Sequence, residues 1–161
     1  MLTVAFESVL WTDERAVDLQ RILEEDLHGR YARHLEPGPE RDAAITALAV
    51  PPEDVLATVL AVADGVGPVA HAALRSLNDE WEVKRVVVLE SARGQGVASM
   101  LMAEIEAIAA RGGASRVILQ TGDQQPEAVA LYSKLGYTRI PVYEPYATAI
   151  PFSLCFEKRL R

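Results

Sequence analysis

The sequence predicts a mixed α/β fold of the α+β kind: an antiparallel meander runs into a βαβ unit, and helices flank one mixed central sheet. Three observations carry this. Residues 55–63, 69–77 and 81–89 are strand-like runs rich in Val, Ala and Leu, joined only by Asp64-Gly65-Val66-Gly67-Pro68 and Asn78-Asp79. Connections that short make antiparallel neighbours. The third run then leads through a glycine-containing turn at 93–98 into an amphipathic stretch at 97–111. Finally, the short apolar strand Val117-Ile118-Leu119 follows that stretch, and a strand, helix and strand over roughly forty residues form a parallel, right-handed βαβ unit.

The remaining elements follow in chain order. Residues 3–10, Thr-Val-Ala-Phe-Glu-Ser-Val-Leu, are rich in β-formers and predict a first strand. Thr12 and Asp13 offer caps for the first helical amides, and Asp13 and Glu14 put negative charge at the positive end of the helix dipole. Ala16, Leu19, Leu23 and Leu27 recur at helical spacing with Ile22 beside them, and Gly29 is the expected stop. Residues 30–40 hold Tyr31, His34, Pro37, Gly38 and Pro39 and read as a loop or broken helical turn that borders a substrate. At 42–50 small apolar residues fit a helix or an extended segment equally well, until Pro51-Pro52 ends the pattern. Val97, Leu101, Ile105 and Ile108 share one helical face, with Gly112-Gly113 as the stop. Residues 125–135 predict another helix, with Pro126 in its first turn and Gly136 after it. Two last strands, 138–142 and 153–160, bracket a loop with Tyr143, Pro145, Tyr146 and Pro151. No repeat, low-complexity tract or linker divides the chain, so residues 1–161 are expected to form a single domain.

Composition narrows the function classes. Half the residues are hydrophobic and 24% charged, an ordinary globular balance. A net charge of −7 argues against nucleic acid, whose binding rests on Lys and Arg at phosphates; such an acidic balance either serves solubility alone or also steers cationic amines. Cys155 is the only cysteine, so there is neither a disulfide framework nor a thiolate metal cluster, and it reads as a small buried strand residue. His28, His34 and His71 lack metal-ligand spacing, which leaves no metal site expected. Without eighteen uninterrupted apolar residues or a basic-then-apolar leader, the expected location is cytoplasmic, off the membrane.

The turn Arg93-Gly94-Gln95-Gly96-Val97-Ala98 is the candidate anion site. Where a strand turns directly into a helix, the first helical N–H groups lack partners and point along the positive end of the dipole. Gly94 and Gly96 let the backbone bend and a phosphate come close, and Arg93 adds charge. A P-loop would need Gly-Lys-Ser/Thr at the helix start, and this turn has neither that Lys nor the spacing. A dinucleotide fingerprint would need glycine where Ser99 stands and an acid about twenty positions on, where Gly113 and Ala114 stand. What remains is Arg-x-x-Gly-x-Gly/Ala after the strand Glu-Val-Lys-Arg-Val-Val-Val. It resembles the acetyl-CoA pyrophosphate loop of the GNAT N-acetyltransferase superfamily. A second motif, Ala128-Val129-Ala130-Leu131-Tyr132-Ser133-Lys134-Leu135-Gly136-Tyr137, is similar to that family's Ala-x-x-Leu-Tyr-x-Lys-x-Gly-Phe/Tyr helix. The element order is similar to the whole GNAT fold, most strongly at 81–161, and the tail is similar to that of a bacterial branch of unassigned substrate.

Strand alternation puts Glu82, Lys84, Val86 and Val88 on one face and Val83, Arg85, Val87 and Leu89 on the other. The resemblance implies acetyl-CoA as co-substrate, with its pyrophosphate on Arg93, Gly94, Gln95, Gly96, Val97 and Ala98. The backbone of Val86, Val87 and Val88 would pair with the pantetheine arm, and Gln125 stands where the family often has a cofactor-contacting Asn. Glu82 matches the position of a general base, acting directly or through water, which acetyl transfer needs because an alkyl ammonium near pKa 10 has no lone pair. Tyr132 matches the tyrosine that protonates the departing thiolate. Besides Gln125, two of this chain's residues depart from the pattern, Glu90 for a frequent proline and Ala98 for a second glycine; neither removes an amide. Tyr31, His34, Tyr143 and Tyr146 are candidates for an acceptor pocket because they lie in loops with clustered aromatic and polar side chains. The expected partner is a small-molecule or peptide amine, and a C-terminal edge strand could support a homodimer. The alternatives are a non-catalytic acyl-CoA-binding or regulatory domain on the same fold, and a nucleotide-binding protein using the same turn.

Overall fold

A computed structural model describes residues 2–31 and 36–161. Before the meander come the edge strand β1 (Val4–Ser8), then α1 (Glu14–Tyr31) and α2 (Pro39–Leu48), which cover one face of the sheet. Asp13 caps α1 as its sequence suggests, its Oδ1 accepting from the Arg15 amide at 2.9 Å. The helix runs past Gly29 to Tyr31. Nothing forces φ positive at Gly29, and Arg30 in the last turn ion-pairs with Asp26 and Glu127, which holds the extra residues in the helix. The segment at 42–50, open in sequence, is helical from Pro39: proline stands at N1 after Gly38, and Ala44 and Ala47, one turn apart, are buried. His34 lies outside the described residues.

The meander is β2 (Val55–Ala63), β3 (Gly67–Leu77) and β4 (Glu80–Val88); α3 (Val97–Arg111), β5 (Arg116–Thr121), α4 (Pro126–Lys134), β6 (Thr138–Ile140), a single-turn α5 (Tyr146–Ala149) and β7 (Leu154–Arg159) complete the chain. The sheet order is β1-β2-β3-β4-β5-β7-β6, with β4–β5 parallel and the other neighbours antiparallel. The α5 turn lies in the stretch expected to be loop, and four residues are too few to show periodicity.

Each sheet face has its own helices. On one, Val59, Ala61, Ala72, Leu74 and Val83 pack against Val97, Leu101, Met102, Ile105 and Ala109 of α3, with Tyr132 of α4 in the same cluster. On the other, Leu60 and Val87 meet Ala16 and Leu19 of α1, while Ala44 and Ala47 of α2 close on Tyr146 and Ile150. Among the described residues, no helix is long and apolar enough to cross a membrane, and no His, Cys, Asp and Glu group could hold a metal ion. Cys155 is buried in β7, where burial raises its thiol pKa.

One sequence expectation is corrected in β4. His71 pairs with Val87 but Ala73 pairs with Lys84, so two β4 residues stand opposite one of β3, a β-bulge. Arg85 sits in it at φ 57°. The extra residue inverts the alternation beyond it: Val86 and Val88 join Val83 on the α3 face, while Arg85 and Val87 lie on the α1 face with Glu82 and Lys84. Period-two reasoning carries no warning of an inserted residue.

Candidate active site

β4 and β5 pair only at Trp81↔Val117, Glu82↔Ile118 and Val83↔Leu119. Beyond Val83 the bulge turns β4 aside, and both strands leave ladder edges facing a gap. His71 holds the bulge from behind: its Nδ1 bonds the Arg85 carbonyl at 2.7 Å and its Nε2 meets Gln20 Nε2 at 3.2 Å. A carbonyl partner requires a proton on Nδ1 and leaves Nε2 to accept from Gln20. Burial lowers the pKa of His71, keeping the ring neutral.

A cavity of about 160 Å³ opens in the gap and passes from one sheet face to the other. On the α3 side it is lined by Val86, Tyr132 and Gln125; across the gap by Leu119 to Gly122 on β5 and the loop after it; on the far side by Leu23, Leu27, Tyr31, Leu48, Ile150 and Phe152. Tyr31 closes the far wall. Its hydroxyl accepts from the Gln124 amide at 2.9 Å, and it crosses where a Cβ on Gly122 would stand 1.7 Å from that oxygen.

The glycine turn sits at the end of β4. A 3₁₀ turn at Glu90–Ala92 leads to Arg93, then Gly94 at φ 75° and Gly96 at φ 77°, where α3 begins without a side-chain cap. A Cβ on either glycine would meet nothing within 4 Å, so the space over the helix N-terminus is open to an anion. Val97 anchors the turn in the core, the Gln95 side chain accepts from the Leu2 amide at 3.0 Å, and Arg93 Nε donates to the Val88 carbonyl at 3.0 Å. Ala98 follows in the first turn of α3. These amides, a free strand edge and a gap suit a pyrophosphate with a long polar arm.

Glu82 is 0% exposed and does not line the cavity. Its Oε1 accepts from Arg75 Nε at 2.7 Å and from the Tyr146 hydroxyl at 3.2 Å, and its Oε2 from the Tyr143 hydroxyl at 2.6 Å. Tyr146 in turn accepts from Lys84 Nζ at 2.9 Å and Arg75 at 3.0 Å. Lys84 does line the cavity, so Glu82 lies one hydroxyl and one ammonium behind its floor. Tyr143 opens instead on a second cleft beside Glu80 and Arg116, and Tyr146 is buried under the floor. Of the described acceptor candidates Tyr31, Tyr143 and Tyr146, Tyr31 alone therefore lines the cavity. Burial pushes Lys84 down to about 8, opposed by the Glu82 charge, and lifts Tyr132 well above an ordinary phenol. Arg75, Lys84 and Arg85 escaped the sequence reading of function; alternation already placed Lys84 beside Glu82, but the partners across β3 depend on register.

A sequence model described as the acetyltransferase (GNAT) family matches residues 17–137, three-quarters of the chain. The chain belongs to the GNAT acetyltransferase family. Its GNAT relatives include the uncharacterized N-acetyltransferase YjcF of Bacillus subtilis, 36% identical over 92 residues, 57% of this chain and 64% of that protein. The match thus spans less than two-thirds of that relative. Among solved GNAT-like folds, a Klebsiella pneumoniae protein provisionally named an acyl-CoA N-acyltransferase superposes with TM-score 0.78 over 99% of both chains at 24% identity. A Bacillus anthracis protein provisionally named a streptothricin acetyltransferase, solved with acetyl coenzyme A, superposes with TM-score 0.57 over 67% of this chain and 64% of its own, at 16% identity.

Proposed function

We propose that residues 1–161 act as one acetyl-CoA-dependent N-acetyltransferase domain that transfers the acetyl group directly to a primary amine. The observation that carries the reading is the cavity through the sheet between β4 and β5, with Val86 and Tyr132 at one end and an apolar chamber at the other. The turn at 93–98 would hold the pyrophosphate on its amides. The unpaired β4 edge at Val86, Val87 and Val88 would hold the pantetheine arm, an amide there facing the developing oxyanion. Gln125, at the N-terminus of α4 and on the cavity wall, would add a side-chain contact.

The acceptor enters the chamber as an ammonium; once one proton has left it, the nitrogen attacks the thioester carbonyl. The C–S bond breaks as the tetrahedral intermediate collapses, the intermediate's N–H proton replaces the one that Tyr132 gives the sulfur, and a base takes the ammonium proton. Glu82 is the base that receives it, through the chain rather than by contact. Lys84 takes the amine proton as it passes its own to Tyr146, whose hydroxyl proton moves to Glu82, and Lys84 is an ammonium before and after. Tyr132 protonates the leaving thiolate; its raised pKa keeps it a donor at neutral pH. No protein nucleophile is needed, and buried Cys155 is not among the cavity-lining residues.

Calorimetric titration with acetyl-CoA, with ATP as control, tests the first step. Saturable micromolar binding, lost in Gly96→Glu, which puts a carboxylate at an αL position in the anion site, is the expected result. A folded protein with no affinity for acetyl-CoA would overturn the reading.

A further inference from the structure

The far chamber has a chemistry of its own. Its walls are apolar: Leu23 and Leu27 from α1, Leu48 from α2, and Ile150 and Phe152 from the segment before β7. Among the described residues its charged lining is Lys84 and Arg85, both cations, with no Asp or Glu. The chain's net charge of −7 is therefore not mirrored in the chamber. Glu82, the carboxylate next to the floor, is sealed and committed to Arg75, Tyr143 and Tyr146.

Lys84 is 6% exposed and, among the described residues, bonds one partner, the Tyr146 hydroxyl. An ammonium has three donors. Arg85 spans α1 and α2, with Nη1 on Glu24 at 3.2 Å and Nη2 on the Leu48 carbonyl at 3.2 Å, and its buried Nε has no partner. Two cations under an apolar chamber disfavour a second positive charge and favour an anion on the guest. The cavity's volume of about 160 Å³ is shared with the acetyl end of the cofactor on the α3 side, so the guest's reacting end is a small body.

Building on the acetyl-transfer reading, we propose that the acceptor is a small apolar amine carrying a carboxylate, an apolar α-amino acid being the minimal case, and that Lys84, backed by Arg85, docks the carboxylate. The amine then lies beside Lys84, at the entrance to the Tyr146–Glu82 chain. Polyamines and other polycations are excluded because nothing in the chamber answers their charge. Peptide N-termini are disfavoured, since an amide replaces the carboxylate next to their amine.

The test separates docking from turnover. Calorimetry at pH 7 compares N-acetyl-L-leucine, N-acetyl-L-methionine and N-acetyl-L-phenylalanine with the corresponding N-acetyl amino acid amides, on wild type and Lys84→Met. The acids should bind at least tenfold tighter than their amides to wild type, and the ratio should fall within threefold in Lys84→Met. Equal or tighter binding of the amides, a ratio retained in a folded Lys84→Met, or no binding of any of the six would overturn the proposal. Thiol release from acetyl-CoA with the three free amino acids and their amides reports on transfer itself. Acid-selective docking without release from any amine would remove the transfer reading and leave the docking site. Release confined to the amides would do the reverse.

Discussion

At the scale of single residues, the most consequential contact is Arg75 with Glu82, 4% and 0% exposed and 2.7 Å apart. Glu82→Gln strands a buried guanidinium, which costs about 3–5 kcal/mol. In a domain of this size each kcal/mol moves Tm by roughly 2–4 °C, so thermal denaturation should show a drop on the order of 10 °C. Lost activity in that variant must therefore be measured below its melting point, and the double variant Arg75→Met/Glu82→Gln should recover part of the loss. Tyr132 is a different case. Its ring packs on Tyr137 and Phe156 and Phe keeps those contacts, so Tyr132→Phe should retain Tm and acetyl-CoA affinity while kcat falls roughly a hundredfold or more. A kcat within threefold of wild type would remove Tyr132 as the acid. Tyr132 was recognisable from its motif, whereas the seal around Glu82 was not: Arg75 and Tyr146 stand 7 and 64 positions from it.

At the scale of elements, two glycines mark where helices close on the sheet. A Cβ on Gly112, at the end of α3, would stand 2.3 Å from the Trp81 ring of β4. Gly112→Ala should cost about 1–3 kcal/mol by overpacking and change the Trp emission. Gly122→Ala should instead displace Tyr31, break its bond from the Gln124 amide and loosen the end of α1, raising the KM for the amine more than that for acetyl-CoA in steady-state assays. An unchanged acceptor KM would separate Tyr31 from the chamber wall. Gly112 stood out as a helix stop, whereas the need for a bare Cα at Gly122 comes from a side chain 91 positions away.

For the whole molecule, Lys84 links burial to pH. Its pKa falls from 10.5 to about 8 on folding, with burial the main cause; Glu82 opposes the shift, while Arg75 and Arg85 add to it and Cys155 opposes it weakly. Between pH 8 and 10.5 the unfolded chain holds the extra proton, so stability rises with pH, by at most about 1.4 kcal/mol per unit. Tyr146, which touches Nζ, and Tyr143, on the same carboxylate, have raised pKa values, so their release begins in the unfolded chain near pH 10 and offsets the rise above that. Urea denaturation at pH 8 and 9.5 should show wild type gaining stability and Lys84→Met gaining less. Equal pH dependence in the two proteins would mean that the ammonium is hydrated.

The local chemistry of the chain settles most of the architecture and the geometry of the glycine turn. Hairpin-length turns dictate a meander, 3.6-residue periodicity dictates α1 and α3, and a glycine pair between a strand and a helix leaves amides for an anion wherever the rest of the chain goes. These features depend on neighbours within about ten residues. The side of the sheet that Val86 and Val88 face, the enclosure of Glu82 and the cationic floor of an apolar chamber depend on one inserted residue in β4 and on the register of β3 against it. Register is set by how the whole sheet buries its faces, and no local pattern encodes it.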